Sequence, residues 1–279
     1  DAAQVLIPND REVLHILPQE FIVDDQDGVQ NPLGMAAARL EVNVHIVTGS
    51  VTSAQNIIKC CNQSGLDVED IVLEPLSSSQ AVLSPDEQEV GVVLVDIGGG
   101  TTDVTIYSEG SIVHTSVLAL GGNHLTHDIA IGLGAPLREA EDIKHKYGVA
   151  MASMVEEDEM IDVPSVGGRN NRTMQKKVLA SIIEDRFREI FELIAHEIEK
   201  THFHTLMASG VVITGGTCIM SGADRLASQV LNLPVRVGYP ENISGLREMI
   251  YSPKYATSVG LVRYGITSNQ GKLNFVGDD

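Results

Sequence analysis

The sequence has few cysteines, few positive charges and no long apolar run, and each shortage excludes a class of protein. Its three cysteines are Cys60, Cys61 and Cys218. Two are adjacent and no CxxC pair occurs, so a disulfide framework and a zinc knuckle are excluded and a reducing cytoplasm is expected. Lysine and arginine number 19 against 38 aspartates and glutamates, a net charge of −19 that argues against nucleic-acid binding and against adhesion to an anionic bilayer. No apolar run approaches the roughly 20 residues of a membrane span.

What remains is a globular composition arranged as an α/β pattern. Hydrophobic residues make up 43% of the 279 positions, a composition that is typical of a globular protein and not of a disordered or fibrous one. A chain of this length is long enough to form more than one domain. We predict one α/β domain (78–120 and 206–266) that is split by a mostly helical insertion (121–205). A small α/β unit (1–77) precedes it and a tail (267–279) follows.

Short apolar runs and their flanking turn residues predict the individual elements. In the first unit we expect a helix over Ser53–Ser64 and strands at Val5–Ile7, Val13–Leu17, Phe21–Val23, Val42–Val47 and Ile71–Leu73. Beyond the polar boundary Ser84–Glu89, strands are expected at 91–95, 103–107, 112–118, 211–213 and 235–237. The clearest helix is Glu184–Lys200, because its apolar residues form one stripe.

The strongest chemical signal is the segment Asp96-Ile97-Gly98-Gly99-Gly100-Thr101-Thr102-Asp103. Glycine lets a phosphate approach the backbone closely, and successive amides in such a turn favour an anion. Carboxylates beside a polyphosphate hold Mg²⁺ through its waters. Three glycines alone would indicate a plain hairpin, but with both aspartates and both threonines the segment predicts phosphate binding.

A second glycine turn, Gly215-Gly216-Thr217, follows a strand and precedes a helix near Ser221–Leu231. A turn at a helix N-terminus presents free amides to an anion, which is informative here only because the first motif is also present. Neither GxxxxGK[ST] nor a GxGxxG after a strand occurs, which excludes P-loop and Rossmann sites. Glu141 and Lys144, three residues apart, could bracket a ribose or base, or could form an ordinary surface ion pair.

These segments together resemble the actin/Hsp70/sugar-kinase ATPase superfamily, in which DxGGGTxD is the second phosphate motif. Within that superfamily the chain is similar to the FtsA family of bacterial actin-like division proteins. The resemblance is carried by VLHILPQEF (13–21), NPLG (31–34), VDIGGGT (95–101), VPSVGGR (163–169) and ITGG (213–216). It implies an α/β, actin-like (ribonuclease H-like) ATPase fold with an inserted, mostly helical subdomain and a small N-terminal α/β subdomain.

The resemblance also implies roles for residues, with ATP and Mg²⁺ as cofactors. Asp96 would orient Mg²⁺, and the segment from Gly98 to Asp103 would bind the β and γ phosphates through Gly98, Gly99, Gly100, Thr101 and Thr102. The sugar and base would be lined by Gly121, Gly122, Asn123, Glu141 and Lys144, and the adenosine covered by Gly215, Gly216 and Thr217. Glu74 stands where related ATPases place the residue that positions the attacking water. An equally supported alternative is that Glu74 has no catalytic role and that its negative charge only stabilises the N-terminus of a helix.

Two features of the family pattern are missing from the sequence. Asp96-Ile97-Gly98 is its sole Asp-x-Gly triplet, so the superfamily's first phosphate loop has no counterpart, and the family's C-terminal amphipathic membrane helix is absent. We therefore expect the chain to be about two thirds of a complete protein. We also expect it to bind ATP poorly by itself and to be at most a weak ATPase.

Six of the 19 basic residues fall within positions 169–188, opposed in that stretch by Glu184 and Asp185 alone. They are Arg169, Arg172, Lys176, Lys177, Arg186 and Arg188. In the family this helical subdomain receives the C-terminal tail of the tubulin-like protein FtsZ, and a basic rim around an apolar groove suits that acidic and apolar ligand. The alternative is a solvated helix face that offsets neighbouring acids.

The function implied by the resemblance is that of a cell division protein on the inner face of the cytoplasmic membrane at the septum. Such a protein self-associates into filaments, contacts other divisome proteins and tethers FtsZ filaments to the membrane through a C-terminal helix. Alternatives within the superfamily are a rod-shape protein, a chaperone-type ATPase and a small-molecule kinase. LPQEF and VPSVGGR argue against the first, no long domain follows the ATPase pattern as the second requires, and no candidate general base supports the third.

Overall fold

The computed structural model describes residues 7–165, 170–201, 208–245 and 247–273, with the backbone alone for 268–273. The first part is an antiparallel sheet of β1 (Arg11–Val23), β2 (Gln26–Val29) and β3 (Leu40–Ser50), in the order β2-β1-β3. The two strands expected at 13–17 and 21–23 are one strand with a register shift between Pro18 and Glu20. A bulge accommodates Pro18 because proline has no N–H for the ladder. The strand expected at Val5–Ile7 lies outside the described residues except for Ile7.

Helix α1 (Val51–Gln63) follows β3 directly and confirms the helix expected from Ser53. The strand expected at Ile71–Leu73 is wrong, since these residues are extended but pair with no strand. The Leu73 amide donates to Nε2 of His15 at 3.0 Å. Pro75 then starts helix α2 (Glu74–Val82), so the segment enters a helix before it can extend along a sheet edge.

The centre of the molecule is a five-stranded mixed sheet flanked by helices. Its strands are β4 (Val92–Ile97), β5 (Thr102–Ser108), β6 (Ser111–Leu118), β9 (Val211–Thr214) and β10 (Val235–Val237), in the order β10-β9-β4-β5-β6. Strands β9, β10 and β6 run in the same direction as β4, whereas β5, which lies between β4 and β6, is antiparallel to both. All six residues of β4 are buried, as its continuous apolar run predicts.

The stretch between β6 and β9 is mostly helical, as expected, but it also contains a two-stranded sheet that the sequence pattern did not indicate. Its elements are α4 (Gly122–Leu133), α5 (Leu137–Tyr147), β7 (Met160–Val163), β8 (Arg172–Gln175) and α6 (Lys176–Glu199). Helix α6 contains most of the helix expected over 184–200 and begins eight residues earlier. Its stripe, including Phe187 and Phe191 with ring centroids 5.7 Å apart, is buried in the main core.

The remaining helices are α3 (Pro85–Val90), α7 (Ala223–Leu231), α8 (Arg247–Ile250) and α9 (Ala256–Leu273). The stretch read as a polar boundary is therefore helix α3, with a capping box between Ser84 and Glu87. Helix α9 packs against α2 and continues through residues expected to be tail. Among the residues described, no helix is both long and apolar enough to cross a bilayer.

Candidate functional site

The Gly98–Thr101 turn joins two strands whose ends carry the predicted carboxylates. Asp96 of β4 and Asp103 of β5 are directly opposite each other in the ladder, so both side chains lie on one face of the sheet. The Gly98 amide donates to the Thr101 carbonyl at 2.9 Å and closes the turn. Gly99, Gly100 and Thr101 are exposed, whereas the Thr102 hydroxyl is buried and donates to the Leu120 carbonyl at 2.8 Å.

The start of α4 is packed directly on this turn. The amides of Gly122 and Asn123 donate to the carbonyls of Gly98 and Gly99 at 3.0 and 2.7 Å. A Cβ at Gly121 would lie 2.7 Å from the Gly98 oxygen, so the approach requires glycine. The two segments therefore form one unit held by backbone contacts.

The second glycine turn closes the same unit from the end of β9. Gly215 has φ +92°, and a Cβ there would lie 2.5 Å from Oδ1 of Asp96. The Thr217 hydroxyl donates to the Gly98 carbonyl at 2.8 Å. The expected helix N-terminus is displaced, because Thr217–Ile219 is a single 3₁₀ turn and α7 begins at Ala223. Any anion bound at Gly215-Gly216 would therefore meet turn amides and would not meet the N-terminus of α7.

Glu141 and Lys144 form the i,i+3 ion pair that their spacing allows, but Lys144 is buried against α4 while Glu141 is half-exposed, so the pair differs from an ordinary surface pair. Lys144 is 9% exposed, and its Nζ lies 2.8 Å from Oε2 of Glu141, 2.8 Å from Oγ1 of Thr126 and 3.1 Å from the Gly122 carbonyl. The Thr126 hydroxyl also donates to Glu141. Burial acts to raise the pKa of Glu141, but the hydrogen bonds from Lys144 and Thr126 outweigh it and lower the pKa.

These elements enclose one cavity of about 500 Å³. Of the predicted residues, Gly99, Gly122, Asn123, Glu141, Lys144, Gly216 and Thr217 line it. Lys254 and an apolar wall of Ile219 and Met220 also line the cavity and were not predicted. The Cβ of Lys254 lies 3.8 Å from the position that a Cβ on Gly216 would take. Lys254 belongs to no motif; it lies on the 3₁₀ turn Pro253–Tyr255 just before α9, and only the tertiary fold brings that turn to the cavity. A cavity with a glycine-lined wall, an apolar wall and Lys144 fits a nucleotide.

Glu74 of α2 faces the two carboxylates that flank the first glycine turn, Asp96 and Asp103. Burial is the main cause that raises the pKa of Asp96 to about 6 and that of Asp103 to about 7, and the charge of Glu74 contributes to both rises. The Ser78 hydroxyl donates to Oδ2 of Asp96 at 2.5 Å and opposes the rise at Asp96. Such a group favours a cation, since a positive charge would relieve the repulsion.

Mg²⁺ suits this donor set when phosphates complete it. Mg²⁺ keeps several waters and binds one or two carboxylates together with substrate phosphates. Within the ranges that the structure describes, no group of three or more His, Cys, Asp or Glu side chains could hold a metal ion alone. Asp96 and Asp103 could thus hold the cation only together with a bound polyphosphate.

The basic stretch at 169–188 is paired with acids from other parts of the fold. Glu184 and Asp185 are the acids within this stretch, but charge pairs also form with elements that the sequence separates from it. Arg169 lies outside the described residues, and the Arg172 guanidinium donates to the Leu133 carbonyl. The other pairs are Lys176–Glu159 at 2.7 Å, Lys177–Glu157 at 3.1 Å, Arg186–Asp128 at 2.6 Å and Arg188–Glu184 at 3.0 Å.

Comparison with known proteins decides which family has this arrangement. The family model for "Cell division protein FtsA" matches residues 93–260, which is more than half of the chain, and that for "SHS2 domain inserted in FTSA" matches residues 1–48. The chain belongs to the FtsA family. The predicted family is thereby confirmed, and the first sheet of the structure falls largely within the inserted SHS2 domain of FtsA.

Relatives within the FtsA family match almost the whole chain. Cell division protein FtsA of Pseudomonas aeruginosa is 47% identical over 267 residues, covering 95% of this chain and 64% of that protein. Cell division protein FtsA of Escherichia coli K12 is 41% identical over 275 residues, covering 96% of this chain and 66% of that protein. The chain thus spans slightly less than two thirds of the Pseudomonas relative.

The fold of this FtsA chain is shared with solved actin-like proteins. MreB5 of Spiroplasma citri bound to ADP superposes with a TM-score of 0.62 at 16% identity, covering 93% of this chain and 90% of that one. At this identity the match shows the fold alone. The predicted actin-like α/β fold is confirmed.

Proposed function

We propose that this chain, within the full-length protein, supplies the cavity between its glycine turns in which ATP binds with Mg²⁺. As part of an FtsA protein, it would tether FtsZ filaments to the inner face of the cytoplasmic membrane at the division septum. The observation that carries the nucleotide part is the convergence of three separate segments, 98–101, 121–123 and 215–217, on one cavity that Lys144 also lines. Filament formation and contacts with other divisome proteins are proposed from family membership.

Different residues of the chain would hold the two ends of the nucleotide. The exposed amides of Gly99 and Gly100 would bind phosphate oxygens, while Lys144 and Glu141 hold the sugar and base end. Lys144 donates to Thr126 and to the Gly122 carbonyl beside Glu141, so its Nζ is held at this end of the cavity. Mg²⁺ would neutralise the phosphate charge near Asp96, and Glu74 would orient the water that attacks the terminal phosphate.

Binding of a fluorescent ATP analogue to the full-length gene product tests the nucleotide proposal. Gly100→Ala is the sharpest variant, because a Cβ there meets nothing within 4 Å in the free protein but would occupy the space of a phosphate. We expect wild-type stability with affinity lowered at least about tenfold. Saturable wild-type binding that Gly100→Ala leaves unchanged would contradict the phosphate position.

The FtsZ part of the proposal is supported by exposed apolar and basic residues on two helices of the insertion that pack together. Ile131 and Val178 are exposed on α4 and α6, and Lys177, in the first turn of α6, forms a weak, exposed pair with Glu157. An acidic peptide can replace Glu157 as the partner of Lys177 at little cost, because exposed ion pairs contribute about 0–1 kcal/mol.

Fluorescence anisotropy of a labelled FtsZ C-terminal peptide tests this surface. Lys177→Glu and Glu157→Lys both break the same ion pair, but they change the local charge in opposite directions. We expect Lys177→Glu to weaken peptide binding and Glu157→Lys to strengthen it. Equal effects of both variants would leave no role for charge at this surface, and absence of binding by folded wild-type protein would contradict the partner assignment.

A further inference from the structure

Helices α2 and α9 approach each other closely at Gly260, which has no side chain to separate them. A Cβ at Gly260 would lie 1.7 Å from the Ser77 carbonyl oxygen, and the Ser77 hydroxyl donates to the Thr257 carbonyl at 2.6 Å. The first turn of α9 is therefore fixed to α2, the helix whose first residue is Glu74.

This contact places the Thr257 hydroxyl among the polar groups beside the first glycine turn. Its Oγ1 lies 3.2 Å from Oγ of Ser78, 3.3 Å from Oε1 of Glu74 and 3.4 Å from Oδ2 of Asp96. Thr257 is half-buried, Asp96 is buried and Glu74 is exposed, so the hydroxyl lies between a buried and an exposed carboxylate. No sequence motif indicated this residue.

A hydroxyl has one proton to donate, and this limits the arrangement. The Ser78 proton is directed to Asp96, because that hydrogen bond is 2.5 Å long. The Thr257 proton can therefore bond Glu74 or Asp96, but only one of them at a time. When a cation satisfies Asp96, the Thr257 proton is free for Glu74.

We propose that Thr257 is a positioning residue that holds Glu74 and Asp96 in the orientation that a magnesium–nucleotide complex requires. The inference rests on the proposed nucleotide function and adds a residue from α9 to it. Thr257 is not itself assigned a contact with the nucleotide. Its effect passes through the two carboxylates.

Two substitutions separate this role from simple packing of α9 on α2. Thr257→Val keeps the shape of the side chain and loses the hydroxyl, whereas Thr257→Ser keeps the hydroxyl and loses the methyl group. A positioning role makes Val the defective variant, and a packing role makes Ser the defective one. Ser258→Ala, at the next and exposed position, is the matched control.

The test measures the affinity of full-length gene product for a fluorescent ATP analogue, once with Mg²⁺ and once with EDTA. The readout is the ratio of the two dissociation constants, which reports the contribution of Mg²⁺ to binding. We expect Thr257→Val to reduce this ratio by about tenfold with the EDTA affinity unchanged. Thr257→Ser and Ser258→Ala should keep the wild-type ratio, and turnover by Thr257→Val should show a lower kcat with little change in KM.

The outcomes distinguish the inference from the proposed function. Wild-type protein without saturable analogue binding would overturn the nucleotide proposal and this inference together. Wild-type binding with an unchanged ratio in Thr257→Val, or with the defect in Thr257→Ser, would overturn the inference alone. If Thr257→Val does not fold, Thr257→Ala replaces it with the same expected loss, again judged against Thr257→Ser.

Discussion

Because α2 and α9 cross closely at Gly260, we predict that the addition of one methyl group at this position destabilises the fold. Gly260→Ala would put a Cβ 1.7 Å from the Ser77 oxygen, so the two helices would have to separate by roughly 1.7 Å to reach ordinary contact. Overpacking of this kind costs about 3 kcal/mol, whereas alanine gains about 1 kcal/mol over glycine inside a helix. We expect the free energy of unfolding to fall by about 2 kcal/mol.

The same helix provides the control. A Cβ at Gly265 meets nothing within 4 Å, so Gly265→Ala should gain about 1 kcal/mol from helix propensity alone. Urea unfolding followed by circular dichroism measures both variants, which suits a chain without tryptophan. The two variants should differ by about 3 kcal/mol with opposite signs. A Gly260→Ala protein as stable as Gly265→Ala would refute the close crossing.

Three further predictions concern the cavity. Gly121→Ala should destabilise the fold by about 2 kcal/mol, since its Cβ would meet backbone atoms of the first turn within 2.9 Å; unchanged urea unfolding would contradict this. Lys144→Met should cost about 2 kcal/mol because Glu141 and Thr126 lose a charged donor, and a stability equal to wild type would mean that water replaces it fully. Asp103→Asn should stabilise the protein more at pH 7 than at pH 5. Because burial raises the pKa of Asp103 to about 7, the folded protein holds a proton that the unfolded chain releases near pH 4. Wild-type stability therefore loses up to about 1.4 kcal/mol per pH unit between those values through Asp103, and the variant lacks this contribution; a gain that is equal at both pH values would contradict the raised pKa.

The elements that were predicted correctly depend on local sequence. Glycines with flanking aspartates fix the 96–103 turn, and the stripe of Phe187 and its neighbours fixes the buried face of α6, since both patterns lie within a few residues. The Ile71–Leu73 strand was wrong because the partner of an extended segment is a tertiary property. There, the side chain of His15 takes the place of a neighbouring strand.

The site itself could be predicted only in part. Glycines at 98–100, 121–122 and 215–216 are visible as turns, but their mutual contacts depend on sheet order. The partners of the basic residues at 169–188 could not be read from that stretch, because Glu157, Glu159 and Asp128 come from other elements. Neither Lys254 nor Thr257 belongs to a recognisable motif, since lysine and threonine are common near the start of helices. Only the tertiary packing of the 3₁₀ turn at Lys254 and of α9 brings these residues to the site.

The crossing at Gly260 also divides α9 into a short arm and a long arm. At 1.5 Å per residue, the arm from Gly260 back to Ala256, beside the carboxylates, is about 6 Å, and the arm forward to Leu273 is about 20 Å. For rotation of α9 as a rigid rod about this crossing, the end displacements scale with the arm lengths. A movement of about 1 Å beside Glu74 then corresponds to about 3 Å at the far end of the helix. The arm ratio follows from where the glycine stands in the helix, and moving the crossing by one turn would change it.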